Sequence, residues 1–330
     1  MSIVRKISRM PYRLMFEIKR FLNQRHRYDF PSENNGWKKV GKKPVYGDES
    51  TGTIFDPYVY LEGDTFIMIA SERKSGSLIR VESKDGETWG NRQVVLEGVK
   101  DSWEEIVNRG CLIEVNGYWH LWYTGQKDGV SSIGYAKGQS LQSLKRVQQT
   151  PVLQTSEIFE GVSAMNPCVI WNDKKHLFQM WYAAGEDYEP DVICYAESKD
   201  GMIWIKYSSP VLTKSLNNAW ESNKVGGCQV VINEDYTYSM YYIGYQNIDV
   251  TRICLATSAD GLVWNRTVDN LQLGPSKGSW DSDAVYKPTV VLKADKELLW
   301  YNGRSKHKEY IGLAIKNKYY NENFNLVKTD

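Results

Sequence analysis

The sequence predicts an all-β protein: a five-bladed β-propeller with four-stranded antiparallel blades, preceded by a short basic amphipathic helix. Three observations predict it. Two strand patterns recur five times along the 330 residues, roughly every 50–60 positions, the period of a four-stranded propeller blade. A tight Asp-Gly turn recurs at one place in the repeat. The chain also carries 12 Trp, 22 Tyr and 8 Phe, large rings suited to packing one twisted sheet face on another.

The elements follow in order. Residues 1–30 hold eight Lys/Arg against two acids, +6, leaving −5 for the rest of a chain whose net charge is +1. Leu14, Met15, Ile18, Phe21 and Leu22 share one stripe at helical spacing, so this head reads as a basic amphipathic helix, suited either to peripheral contact with an anionic membrane or to docking on the domain. The near-neutral body argues against a nucleic-acid partner. The expected location is cytoplasmic, at the inner face of the membrane.

The propeller is expected over 37–330. "WKKVGKKPVY" (37–46) has the pattern of an outer strand yet precedes the first blade, while the last repeat lacks an outer strand. Residues 37–46 are therefore expected to complete blade five and clasp the ring, hiding a sheet edge. The blades start near 54, 107, 164, 224 and 285. Their inner strands are "FDPYVYL", "NRGCLIEV", "MNPCVIW", "VGGCQVVI" and "YKPTVVL". Their second strands end in "FIMIAS", "WHLWYTG", "QMWYAAG", "SMYYIG" and "LLWYNG". Third strands follow, and in blades one, three and four the turns "SKDGETW", "SKDGMIW" and "SADGLVW" lead to an outer strand. Asp-Gly suits such turns because glycine accepts positive φ without strain.

Repetition separates scaffold from site. The aromatic–acid pairs Trp103-Glu104, Phe159-Glu160, Trp220-Glu221 and Trp280-Asp281 recur before four inner strands and read as scaffold. The residue two places into each inner strand differs in every blade: Asp56, Arg109, Asn166, Gly226 and Lys287. Inner strands line the axis of a propeller, so these side chains are expected to converge on one rim. Charges gathered there need partners or a ligand. Arg73 and Arg304 directly follow their second strands and are expected beside them, with Glu186 on a neighbouring loop. Two rim cations, Arg109 and Lys287, suit an anionic group such as a phosphate or a uronate.

The five cysteines include no C-x-x-C pair, and the four histidines are scattered. Neither pattern suits a metal site, and no cofactor-binding motif is present. No cofactor is expected.

The five units, the "FDPYV" that opens them, and the recurring "MWY" and S-x-D-G-x-x-W patterns resemble the five-bladed β-propeller glycoside hydrolases of families 43, 62, 32 and 68, with the phosphorylase-containing family 130 as a relative. The likeness spans 37–318. It implies a glycosidase whose Asp56 is the general base (inverting) or nucleophile (retaining), acting with a second carboxyl group about 5–5.5 Å or 6.5–9.5 Å away. Family 43 places further acids where this chain has Arg109 and Met165–Asn166, so the proton donor must come from elsewhere. Glu105, Glu160, Glu186 and Asp283 are the candidates. A glycosyl transferase or phosphorylase acting on an anionic glycan at the membrane, and a sugar-binding propeller without catalysis, are the alternatives. The expected partner in each case is a glycan or a sugar-containing small molecule.

Overall fold

The computed structural model describes residues 18, 21–23, 25, 27–186 and 188–317. Most of the expected N-terminal helix lies outside them; Ile18 and Phe21, Leu22 and Asn23 are helical.

The described chain is a ring of antiparallel blades. Blade one is Ile54–Glu62, Thr65–Glu72, Ser77–Ser83 and Gly90–Leu96. Blade two is Ile106–Val115, Tyr118–Lys127, Val130–Gly138 and Lys145–Arg146. Blade three is Ser163–Asn172, Leu177–Glu186, Glu189–Ser198 and Ile205–Lys206, joined to blade two by one parallel bridge between Ser163 and Ser131. Blade four is Lys224–Ile232, Tyr238–Asn247, Val250–Ser258 and Asn265–Leu273. Blade five is Ala284–Lys293, Lys296–Ser305 and Lys308–Asn317, and its outer strand is Lys38–Lys39, paired antiparallel with Ile315 and Ala314. Val40 and Val45 continue that pairing onto Leu313 and Ile311.

The apolar core is divided into layers, one between each pair of neighbouring blades. This follows from strands that are apolar on both faces. Two repeated devices lock the layers. In the first, a second-strand Trp donates its indole N–H to the turn glycine of the next blade: Trp122 to Gly201, Trp181 to Gly261 and Trp300 to Gly86, each at 2.9 Å. The same carbonyls accept from the turn's own Trp204, Trp264 and Trp89 at 3.1 Å. These glycines sit at φ +79 to +81, and a methyl group on Gly201 would lie 2.8 Å from the Trp122 ring. Gly201→Ala combines left-handed strain with overpacking. It is expected to cost about 2–4 kcal/mol, read as a lower urea midpoint with an unchanged slope.

The second device explains the aromatic–acid pairs. Glu104 accepts from Tyr123 at 2.7 Å and Arg146 at 2.8 Å. Glu160 accepts from Tyr182 and from Lys206 at 2.7 Å. Glu221 accepts from Tyr242 at 2.7 Å and Arg266 at 2.9 Å, and Asp281 from Tyr301 at 3.0 Å and Lys39 at 2.7 Å. Each buried carboxylate thus ties the turn that enters a blade to that blade's second and outer strands. In blade five the cation comes from the N-terminal segment.

Candidate functional site

Each inner strand breaks its pairing near its start. Between Phe55 and Tyr58, Asn108 and Cys111, Met165 and Cys168, and Tyr286 and Thr289, two residues bulge out of the ladder. The first bulged residue is left-handed: Asp56 φ +51, Arg109 +55, Asn166 +54, Lys287 +36. Non-glycine residues seldom adopt this conformation. In three blades a side chain from the preceding blade's second strand holds it. The N–H of Arg109 donates to Ser71 Oγ at 2.9 Å, that of Asn166 to Thr124 Oγ1 at 3.0 Å, and that of Asp56 to Asn302 Oδ1 at 3.4 Å. Bulges of this kind re-aim side chains, and here Asp56, Arg109 and Asn166 line one pocket at the axis. Blade four bulges at the same place in the ladder, between Gly226 and Gln229, so Gly227 (φ +45), not Gly226, stands where the other blades carry Asp56, Arg109, Asn166 and Lys287. A side chain on Gly226 would collide with Pro190, which itself lines the pocket.

The pocket has a volume of about 370 Å³, within the range of sugar-sized sites. Asp56, only 7% exposed, is the inner-strand carboxylate that lines it. Arg109 Nε donates to Asp56 Oδ2 at 3.0 Å, fixing the orientation of the carboxylate. Arg304 donates to the Asp249 carbonyl at 2.7 Å and lies over the Tyr286 ring. Arg73 covers Phe55 and reaches Glu309 Oε1 at 3.2 Å. The N-terminal segment closes one side: Asn23 lines the pocket and donates to Asp249 at 2.9 Å. Downstream of it, Arg27 pairs with Asp283 and Phe30 packs edge-on against Trp220.

Of the residues singled out by sequence, Asp56, Arg73, Arg109, Asn166 and Arg304 line this pocket. Others do not. Lys287 is 2% exposed and donates to the Cys228 carbonyl at 2.8 Å. Its long side chain turns into the channel, where the cationic nitrogen lies among buried inner-strand residues. Glu160 is consumed by the blade-three latch described above. Glu105 is exposed and faces Lys127 at 3.8 Å. Glu186 is exposed at the end of its strand. Asp283 is buried beneath Arg27 and accepts the Lys306 N–H at 2.6 Å.

The pocket also holds residues that the repeat pattern of the inner strands does not reveal. Glu309, on the third strand of blade five, lines it with Asp56. Asn302 bridges the two acids: its oxygen accepts from the Asp56 N–H, and its Nδ2 donates to Glu309 Oε2 at 2.8 Å. Burial pushes the Glu309 carboxyl above its ordinary range. The Asp56 charge adds to that push, while Arg73, Arg304 and Arg109 oppose it. A signal for Glu309 existed. Two residues before the recurring third-strand isoleucine stand Ser77, Ser131, Asp191, Thr251 and Glu309, again unlike polar groups at equivalent places.

Three comparisons bear on this architecture. Residues 79–226 match the glycosyl hydrolases family 32 N-terminal domain. Two Mycobacterium tuberculosis proteins, MT1551 of strain CDC 1551 / Oshkosh and Rv1502 of strain H37Rv, are each 27% identical over 220 residues, 63% of this chain and 71% of theirs. Among solved structures, one described as a glycoside hydrolase superposes with a TM-score of 0.71 at 17% identity, covering 93% of this chain and 96% of its own. A thermostable family-43 glycoside hydrolase gives 0.68 at 17%, covering 86% and 94%. A structure described by the statement that the family 130 of mannoside phosphorylases contains glycoside hydrolases that target β-1,2 mannosidic linkages in Candida mannan gives 0.68 at 16%, covering 87% and 96%. In fold, then, the chain is a five-bladed β-propeller of the glycoside hydrolase type, matching the family 32 N-terminal domain from 79 to 226.

Proposed function

We propose that this protein cleaves a glycosidic bond in the axial pocket, with Asp56 as general base or nucleophile. The observation that carries this reading is the placement of Asp56. Among the described residues it is the one inner-strand carboxylate at the bulge position. It is held left-handed by blade five, paired with Arg109 and faced into a sugar-sized cavity. A carboxylate so oriented can activate water or attack an anomeric carbon. The test is turnover of a panel of aryl glycosides and oligosaccharides by the full-length protein, followed as sugar release. Hydrolysis of at least one sugar class is expected. Binding without turnover across the panel would point to a sugar-binding propeller instead.

A specific feature favours a second reading. Arg73, Arg109 and Arg304 share the pocket, and guanidinium groups suit phosphate or carboxylate oxygens. On this reading inorganic phosphate replaces water, or the glycan itself is anionic. Running the panel with and without phosphate separates the cases: phosphorolysis yields a sugar 1-phosphate and stops when phosphate is withdrawn. The exposed apolar side chains of Ile18, Phe21 and Leu22 would serve attachment to an anionic membrane, tested by liposome binding with and without residues 1–30.

A further inference from the structure

We propose that Glu309 is the proton donor to the departing sugar oxygen, working opposite Asp56. The inference rests on the glycosidase reading above and names the acid that reading lacks.

The described acids that line the pocket are Asp56, Asp249 and Glu309. Asp249 is occupied, accepting from Asn23 and facing Arg304. Glu72, close by in sequence to Arg73, is held by both ends of the Arg92 guanidinium. Glu309 differs from all of these. Its charged partner, Arg73, makes one contact at 3.2 Å from a side chain that is 62% exposed. Such a pair is weak in water, and a sugar entering the pocket can displace it. Its other partner, Asn302, is neutral and 1% exposed. Asn302 also holds the Asp56 backbone, so one amide sets the positions of both carboxyl groups. Desolvation and the neighbouring Asp56 charge keep the proton on Glu309 to higher pH. A carboxyl that holds its proton in this way, positioned by the same amide that holds Asp56, suits the role of acid.

The step balances. As the bond from the anomeric carbon to the glycosidic oxygen breaks, its electron pair passes to that oxygen, which takes the Glu309 proton. The anomeric carbon gains its new bond from water deprotonated by Asp56, or first from Asp56 itself and then from water deprotonated by Glu309. One water is consumed, and exchange with solvent restores both carboxyl groups.

The experiment uses full-length wild type, Glu309→Gln and Asp56→Asn, with two glycosides of the same sugar. One carries 2,4-dinitrophenolate, which leaves without protonation; the other carries methanol, which does not. Glu309→Gln is expected to lose only about threefold in kcat/KM on the dinitrophenyl glycoside but about 10²–10⁴-fold in kcat/KM on the methyl glycoside, and to lose the alkaline limb of its pH profile. Infrared difference spectra across a pH titration should show in wild type a protonated carboxyl band that persists above the ordinary glutamate range and that Glu309→Gln lacks. Equal losses on both glycosides, or no such band, would overturn the assignment while leaving the role of Asp56 standing. Full activity in Asp56→Asn, or wild type that turns over neither probe, would instead remove the parent reading and this proposal with it.

Discussion

Asp56→Asn is expected to lower turnover by at least about 10³-fold while the propeller stays folded. Asparagine is the informative replacement. It tolerates left-handed backbone, as Asn166 does at the equivalent place in blade three (φ +54), so the bulge survives. Its side chain has nearly the same shape and still accepts from Arg109. What it lacks is the basicity and nucleophilicity of the carboxylate. Alanine would confuse the result, because its methyl group at φ +51 is strained and Arg109 would lose its partner. Kinetics should therefore fall without a change in thermal midpoint larger than a few degrees. Activity within tenfold of wild type would remove Asp56 from the chemistry.

The second large effect concerns ring closure. Lys39→Met is expected to cost about 3–5 kcal/mol, the usual penalty for leaving a buried charge without its partner. Asp281 is fully buried, and the Lys39 ammonium reaches it at 2.7 Å. The same ammonium donates to the Gly274 carbonyl at 2.6 Å and to Ser276 at 2.7 Å, pinning the N-terminal strand across the seam between blades four and five. Burial pulls the Lys39 ammonium below its ordinary pKa, with Asp281 opposing the shift. Without it Asp281 keeps the Tyr301 hydroxyl, at 3.0 Å. A loss of this size lowers the midpoint of a domain this large by roughly 6 °C or more. Lys38→Met on the exposed side of the same strand should shift it by less than about 1 °C. Equal effects of the two substitutions would show that the latch does not close the ring.

Much of the fold was legible because a repeat repeats its physics. The Asp-Gly turns, the paired aromatics and the apolar second strands each recur in most blades, and each does one structural job wherever it recurs. The aromatic–acid pairs were legible as scaffold, though their partners were not: that Glu104 meets Arg146, or Asp281 meets Lys39, depends on outer strands distant in sequence. The site was legible in part. Asp56, Arg109 and Asn166 share a bulge that repetition exposes. Lys287 occupies the same repeat position, yet its flexible four-carbon stem carries the charge into the channel rather than toward the pocket. Sequence register does not reveal the path of such a side chain. Glu309 was hidden because it lies on a third strand, whose first residues also reach the rim although only the inner strands line the axis along their length. That Gly227 rather than Gly226 takes the bulge position in blade four was hidden by the glycine pair, since either glycine can adopt the left-handed conformation.

A crystal structure of full-length Asp56→Asn, soaked with a glycan that the wild type cleaves, tests the central claim most directly. The account predicts a sugar in the axial pocket with its anomeric carbon between position 56 and Glu309, and with Arg109 beside it. A sugar bound elsewhere on the propeller, with this pocket vacant, would contradict it.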